Sequence, residues 1–397
     1  MNKINEQILN RGVASIYPSR EYLKSRLEKG EKLTIYLGID PTGPNLHLGH
    51  AIPVKKLSEF QKAGHKIILL LGDFTAMIGD PTDKSAARKQ LSRKDVLNNL
   101  KGYKKQLSKI ISFSGKNKAE LKFNSKWHSK MKFSDVLSLA SQMTVQQMLE
   151  RDMFKKRMNE GKPIFIHEFM YPLMQAYDSV AMNVDGEIGG NDQTFNMLCG
   201  RDMIKNMKGK EKFVITMKLL EDPNGKKMGK TEGNMVTISD KPDDMYGKVM
   251  SWTDEMIPIA FELCTNVEDE EIERIKKELS GKNPDFKEIK MRLAREVVSV
   301  FYGQEKSELA EKNWQKTFSQ KEIPDDVDNI IVKPEDLLVD VLIAEKIVSS
   351  KSDFRRLIEG GAVVILANEE KVTDLGQKVK PGVYRIGKKR FIKLSFK

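Results

Sequence analysis

Leu33-Thr34-Ile35-Tyr36-Leu37-Gly38-Ile39-Asp40-Pro41-Thr42-Gly43-Pro44-Asn45-Leu46-His47-Leu48-Gly49-His50 is the stretch whose reading decides the fold. Its first six residues, Leu33 to Gly38, read as a short buried strand. A turn rich in Gly and Pro follows. A helix is then expected from about His47 to Lys62, with Ile52, Val54, Leu57 and Phe60 among its apolar residues. Lys66-Ile67-Ile68-Leu69-Leu70-Leu71-Gly72 reads as a second apolar strand. Strand, helix and strand at this spacing form a βαβ unit, which implies a parallel sheet with a right-handed crossover. Ligands of such sheets bind at the carboxyl ends of the strands, often against a helix N-terminus.

The helix start carries the chemistry. Its unpaired N–H groups and partial positive charge suit a triphosphate. His47 and His50, at i and i+3, share one face, and each imidazole can donate a hydrogen bond to a phosphate oxygen. Gly49 leaves room for a ribose or nucleobase beside the backbone. The chain has five histidines, so two here are a concentrated signal. The bland reading is a helix start with incidental histidines. No Cys, His or carboxylate sits nearby at zinc-ligand spacing. A Walker loop is absent: Gly225-Lys226-Lys227-Met228-Gly229-Lys230-Thr231 is one residue short between its glycines. That segment lies in a polar run, Asp222 to Asn234, punctuated by Gly and Pro. It is either a solvated turn or an arm whose Lys227 and Lys230 ammonium groups meet charge developing in a transition state.

Further out, Phe213 to Met217 is another strand candidate, preceded by a helix from about Asp192 to Asn206. From Phe133 to Val184 the pattern is helical and rich in methionine, which reads as core or interface filler. Lys241 to Ser319 is again helical, with Asp269 to Leu279 and Glu288 to Phe301 as clear cases. Residues 321–333 read as a linker. The last segment, 334–397, shows short helices and then short strands with turns at Pro381-Gly382 and Gly387-Lys388.

The chain of 397 residues carries a net charge of +12 and a pI near 9.3, which points to a polyanionic partner or to a lysine-rich solvated surface. One basic run goes from Lys378 to the end without an acid. Another spans Lys84 to Lys132, with Asp95 and Glu120 its only acids and no role apparent from sequence. Two cysteines, Cys199 and Cys264, form no paired framework, which fits a reducing cytoplasm. No apolar run is long enough to span a membrane. The N-terminus has neither the apolar core nor the cleavage pattern of a secretory signal.

His47-Leu48-Gly49-His50 resembles the HIGH motif of class I aminoacyl-tRNA synthetases, with Leu for Ile. Lys227-Met228-Gly229-Lys230-Thr231 resembles their KMSKS motif, with Gly and Thr for the two serines. Four more segments are similar to tyrosyl-tRNA synthetases of bacterial type: Tyr36 to Thr42, Ile78-Gly79-Asp80-Pro81, Tyr171 to Asp178, and Gly189-Gly190-Asn191-Asp192-Gln193. The resemblance covers nearly the whole chain. It implies an α/β fold with a Rossmann-like parallel-sheet catalytic domain at 1–235, carrying a helical insertion at about 125–185. An all-helical anticodon-region domain at 236–320 and a small α+β S4-like RNA-binding domain would follow.

By the same resemblance, Tyr36 and Asp178 would hold a substrate phenol. Asp80, Tyr171 and Gln175 would hold its ammonium group, and Gln193 would lie near its carboxylate. Thr42 and His47 would meet the γ-phosphate of ATP. Gly49, His50 and Asp192 would face the ribose and adenine, and Asp40 would lie near the amino acid and the α-phosphate. Lys227, Met228 and Lys230 would complete the nucleotide site. Read without the family, Tyr171, Gln175 and Asp178 share one helix face, which suits a pocket wall or an ordinary polar surface. Segment 344–363 resembles an S4 module, so Lys351, Arg355, Arg356, Lys388, Lys389 and Arg390 would contact tRNA(Tyr) phosphates. The resemblance further implies L-tyrosine and ATP with Mg²⁺ as substrates, no resident metal, and a homodimer. The competing readings are a tryptophanyl-tRNA synthetase, a non-catalytic RNA-binding protein on the same scaffold, and a small-molecule nucleotidyltransferase sharing the histidine motif.

Overall fold

The computed structural model describes residues 3–80, 91–221, 235–319, 327–366, 370–387 and 390–396. The chain divides into two compact units, Met1–Ser307 and Glu308–Lys397, with the division inside helix Gln304–Ser319.

The first unit is built on a sheet of β1 (Val13–Tyr17), β2 (Thr34–Ile39), β3 (Lys66–Leu71), β4 (Glu120–Phe123), β5 (Gly186–Gly190) and β6 (Phe213–Met217), in the order β1-β6-β5-β2-β3-β4. All neighbours are parallel except β1 and β6. The expected βαβ unit is present, and β6 spans the anticipated residues. β2 begins one residue late, because the Leu33 N–H donates to His65 Nδ1 at 3.3 Å rather than to the ladder. The helix begins at Leu48, with His47 as its cap. β1, β4 and β5 escaped the sequence reading. β1 and β4 are edge strands, and β4 is only half-buried throughout, so neither shows an apolar run, while β5 is Gly-Glu-Ile-Gly-Gly with a single apolar side chain.

The chain builds β2, β3 and β4 on one side, then returns to lay β5 and β6 on the other. The switch point therefore lies between β2 and β5, where a ligand crevice belongs. Those two strands pair only at Ile35 with Gly186 and at Tyr36 with Glu187. Beyond Tyr36 the ladder between them ends, opening the sheet at its carboxyl edge. Gly186 is required there, since a Cβ would run into the Phe213 ring.

The expected helical stretch before β5 comprises Phe133–Ala140, Val145–Leu149, Asp152–Asn159 and Ile166–Met182. Met148 and Met174 are buried there, as the filler reading anticipates. Helices Pro242–Met250, Ile257–Cys264, Asp269–Leu279 and Phe286–Tyr302 follow β6.

The second unit carries a separate sheet of β7 (Asn329–Val332), β8 (Val363–Ile365), β9 (Glu370–Lys371), β10 (Gly382–Ile386) and β11 (Arg390–Phe396), in the order β7-β11-β10-β8-β9. Leu338, Leu342, Phe354, Tyr384 and Leu394 are central to its core. β7 lies inside the range read as a linker. Its Ile330, Ile331 and Val332 favour extended backbone, and the strand pairs in parallel with β11.

Candidate active site

A cavity of about 480 Å³ opens at the carboxyl edge, between the ends of β2 and β5. Tyr36, Asp40, Thr42, His47, Gly49, His50, Asp80, Tyr171, Gln175, Asp178, Asp192 and Gln193 all line it. These are all the catalytic-unit candidates among the described residues. Lys227, Met228 and Lys230 lie outside the described residues, as do Lys388 and Lys389. The residues on either side of the lysine segment, Leu220 and Met235, also line the cavity.

The histidine end is built from short-range backbone contacts. His47 caps helix Leu48–Lys62, its Nδ1 accepting the Gly49 N–H at 3.1 Å. In return the His47 N–H donates to His50 Nδ1 at 3.3 Å. This is a capping box in which two imidazoles stand where Ser and Glu are usual. With Nδ1 accepting, each neutral ring carries its proton on Nε2. Gly49 has a packing reason beyond room for a ligand, because a Cβ there would press on the His47 ring at 2.9 Å. Backbone pairing with Val236 and Ile238 pins Leu46 and Leu48, at 3.1 Å for Leu48 and 2.8 Å for Ile238.

The other end is dense with acids. Asp40, Asp80, Asp178 and Glu187 all line the cavity. Asp40 accepts the Thr75 hydroxyl at 2.7 Å and the Tyr171 hydroxyl at 2.8 Å, and sits where a Cβ on Gly72 would be. Burial raises its pKa from an ordinary 3.8 to about 7, the two hydroxyl donors only partly opposing this. Asp80 accepts from Arg151 at 2.7 Å and from Gln193 Nε2 at 2.9 Å.

From Gln193 the bonds run on without a break. Asn196 Nδ2 donates to Gln193 Oε1 and to Gln175 Oε1, each at 3.0 Å. Gln175 Nε2 donates to Glu187 at 3.0 Å, and the fully buried Lys212 pairs with the other Glu187 oxygen. Lys212 also donates to Ser179 Oγ at 2.8 Å, and Ser179 meets the Tyr36 hydroxyl at 3.0 Å. Burial pushes the Lys212 pKa down and that of Tyr36 well up.

Asp178 is held by the segment after β4. Trp127 Nε1 and His128 Nε2 meet Asp178 Oδ1 at 2.7 and 2.8 Å, and Asn124 Nδ2 lies 3.3 Å from Oδ2. Burial raises the Asp178 pKa, and these donors pull against it. Sequence reasoning missed Thr75, Asn124, Trp127, His128, Arg151, Ser179, Glu187, Asn196 and Lys212. Three of them, Asn124, Trp127 and His128, fall in the basic run whose role the sequence left open. One signal was available there: adjacent Trp and His, both scarce in this chain, in an otherwise polar stretch.

Both cysteines are free and buried, and burial raises each thiol to about 12. Among the described residues, no group of three His, Cys, Asp or Glu side chains could hold a metal ion. No described helix is long and apolar enough to cross a membrane. In the second unit Lys351 and Arg356 are exposed and make surface ion pairs with Asp340 at 3.1 Å and Asp353 at 3.3 Å. Arg355 and Arg390 are also exposed.

The family profile for tRNA synthetases class I (W and Y) matches residues 28–319. A tyrosine–tRNA ligase of Thermotoga maritima is 42% identical over 98% of this chain and 96% of its own length. Tyrosine–tRNA ligase 2 of Clostridium acetobutylicum is 43% identical over 99% of each chain. The crystal structure of a C-terminally truncated mitochondrial tyrosyl-tRNA synthetase of Aspergillus nidulans superposes with a TM-score of 0.66. It covers 80% of this chain and 95% of its own, at 23% identity.

Proposed function

This chain belongs to the class I tRNA synthetases, within the tyrosine–tRNA ligases, and on that premise we propose how its cavity performs the reaction. The enzyme activates L-tyrosine with ATP to tyrosyl-adenylate and pyrophosphate, then transfers tyrosine to the 3′-terminal adenosine of tRNA(Tyr). The observation that carries the tyrosine assignment is Asp178. It is a buried carboxylate in the cavity wall with three donors in place. Oδ1 takes two of them and Oδ2 only the long one, so Oδ2 keeps a lone pair for a hydroxyl donor. A phenol supplies that hydroxyl. Phenylalanine would leave the site's polar groups unpaired, and this family's rejection of it is itself a standing example of that rule.

The acids at that end make a site for a cation. Asp40 accepts from two neutral hydroxyls, and burial raises its pKa, so a positive charge beside it would stabilise its anion. The tyrosine ammonium would supply it, between Asp80, Tyr171 and Gln175, with Gln193 near the carboxylate. The triphosphate, repelled by the acids, would lie at the helix start with Thr42, His47 and His50. Gly49, Asp192 and Asp40 complete the nucleotide site. ATP arrives as its Mg²⁺ complex, the metal belonging to the nucleotide. The tyrosine carboxylate is already an anion, so its attack on the α-phosphorus needs no general base. Catalysis then rests on positioning and on donors aimed where charge develops. Lys227, Met228 and Lys230 would close on the phosphates, a reading supported by the flanking Leu220 and Met235 in the cavity wall.

The division of labour is part of the proposal. Residues 1–235 would carry the chemistry, 236–320 the anticodon region, and 334–397 an S4-like surface for tRNA, with Lys351, Arg355, Arg356, Lys388, Lys389 and Arg390 on phosphates. Dimerisation would use the helical insertion. Phe133, Leu137, Val145, Met158, Phe165 and Ile166 are exposed there, Phe133 by 76% and Ile166 by 83%. A cytoplasmic location fits its two buried free thiols. The test is ATP-dependent charging of tRNA by the pure protein. Charging with tyrosine, lost on removal of residues 320–397 while adenylate formation persists, is the expected result. Charging with tryptophan, or no charging, overturns the assignment.

A further inference from the structure

His128 is buried and belongs to neither substrate. Its side chain is 1% exposed, Nε2 lies 2.8 Å from Asp178 Oδ1, and Nδ1 is buried with no hydrogen-bond partner among the described residues. Phe74 and Tyr177 pack around the ring, with centroids 5.5 and 6.1 Å away. A histidine placed there only for packing would be replaceable by an apolar residue and would spare the structure an unsatisfied nitrogen. The bond that justifies it is the one to Asp178.

We propose that His128 is a positioning residue for tyrosine selection. Donating from Nε2, it fixes the Asp178 carboxylate so that Oδ2 stays an acceptor for the substrate phenol. This rests on the reading of Asp178 as the phenol's partner. The carboxylate's position makes such support necessary. Burial favours its protonated form, and among the described residues the other titratable groups facing it, Asp40, Tyr36 and Tyr171, offer no positive charge. A protonated Asp178 would compete as a donor and lose the phenol. Trp127 and Asn124 help to oppose this, and His128 is the largest single contributor among the partners.

The experiment is ATP–pyrophosphate exchange by His128→Leu and His128→Gln, with tyrosine and with phenylalanine, from pH 5.5 to 9. Gln carries an amide N–H at about the reach of Nε2. The parent tests the underlying reading by its exchange with tyrosine. In His128→Leu the KM for tyrosine should rise roughly 10- to 100-fold, the loss of one charge-assisted hydrogen bond. kcat and the phenylalanine reaction should change little. The acid limb of kcat/KM for tyrosine should move to higher pH, and Gln should restore most of both effects. Equal losses for the two amino acids, an unchanged tyrosine KM, or Gln failing as Leu does would each overturn the proposal. The parent gives a reading independent of folding. The imidazole resonances of His128 should shift when tyrosine binds and not when phenylalanine is added, and no shift with tyrosine would also overturn it.

Discussion

The two ends of the cavity are held in different ways. At the histidine end, His47 bonds residues two and three positions along the chain. At the carboxylate end, Asp178 is held by residues 50 to 54 positions away, Asp80 by Gln193 at 113, and Asp40 by Tyr171 at 131. One end is a helix cap with two unusual caps. The other is a hydrogen-bonded network that exists only once several elements have packed. Damage at the first should therefore stay local and kinetic, while damage at the second should reach stability and substrate selection together.

The sharpest way to break that contrast is Lys212→Met. It strands Glu187 in a fully buried pair and removes the donor to Ser179. Unfolding in denaturant should show a loss of about 3–5 kcal/mol. His47→Ala is the counterpart. It should lower the rate of adenylate formation by roughly 10²–10³, with tyrosine affinity nearly unchanged and stability down by only about 1 kcal/mol for the lost cap. Pre-steady-state kinetics separate rate from affinity, and a loss of tyrosine binding would contradict the phosphate assignment.

Asp40→Asn tests the acid end through pH. The parent carboxyl has its folded pKa raised, from 3.8 to about 7, so the stability of its neutral form is fully present below about pH 3.8. That stability is lost as pH rises through 7. Asn cannot ionise, so the variant's stability relative to the parent should increase between pH 4 and 7, by a few kcal/mol, and level off above. A flat difference across that range would show that Asp40 is not desolvated as described. The smallest effect is expected from Gly49→Ala, whose Cβ would displace the His47 ring. Adenylate formation should slow by about tenfold, less than in His47→Ala.

The same contrast explains what the sequence disclosed. β2, the histidine helix and β3 were legible because their signals are contiguous: an apolar run, a Gly/Pro turn, a second apolar run. Phe213–Met217 and Asp269–Leu279 were legible for the same reason. The cavity side chains were legible through family motifs. Their supports were not, since nothing in local pattern marks Lys212 or Asn196 as buried partners of Glu187 and Gln175. Ser179, next to Asp178 in sequence, meets Tyr36, while Asp178 turns to Trp127 and His128. β4 was hidden because an edge strand half-open to solvent carries few apolar residues, and β7 because it follows an acidic stretch that reads as a linker.

ATP–pyrophosphate exchange by the purified protein, assayed separately with each of the twenty amino acids, tests the central claim most directly. The account predicts exchange with tyrosine and background with phenylalanine and tryptophan. Exchange with tryptophan would keep the fold and overturn the Asp178 assignment, and no exchange with any amino acid would contradict the reading of the cavity as an activation site.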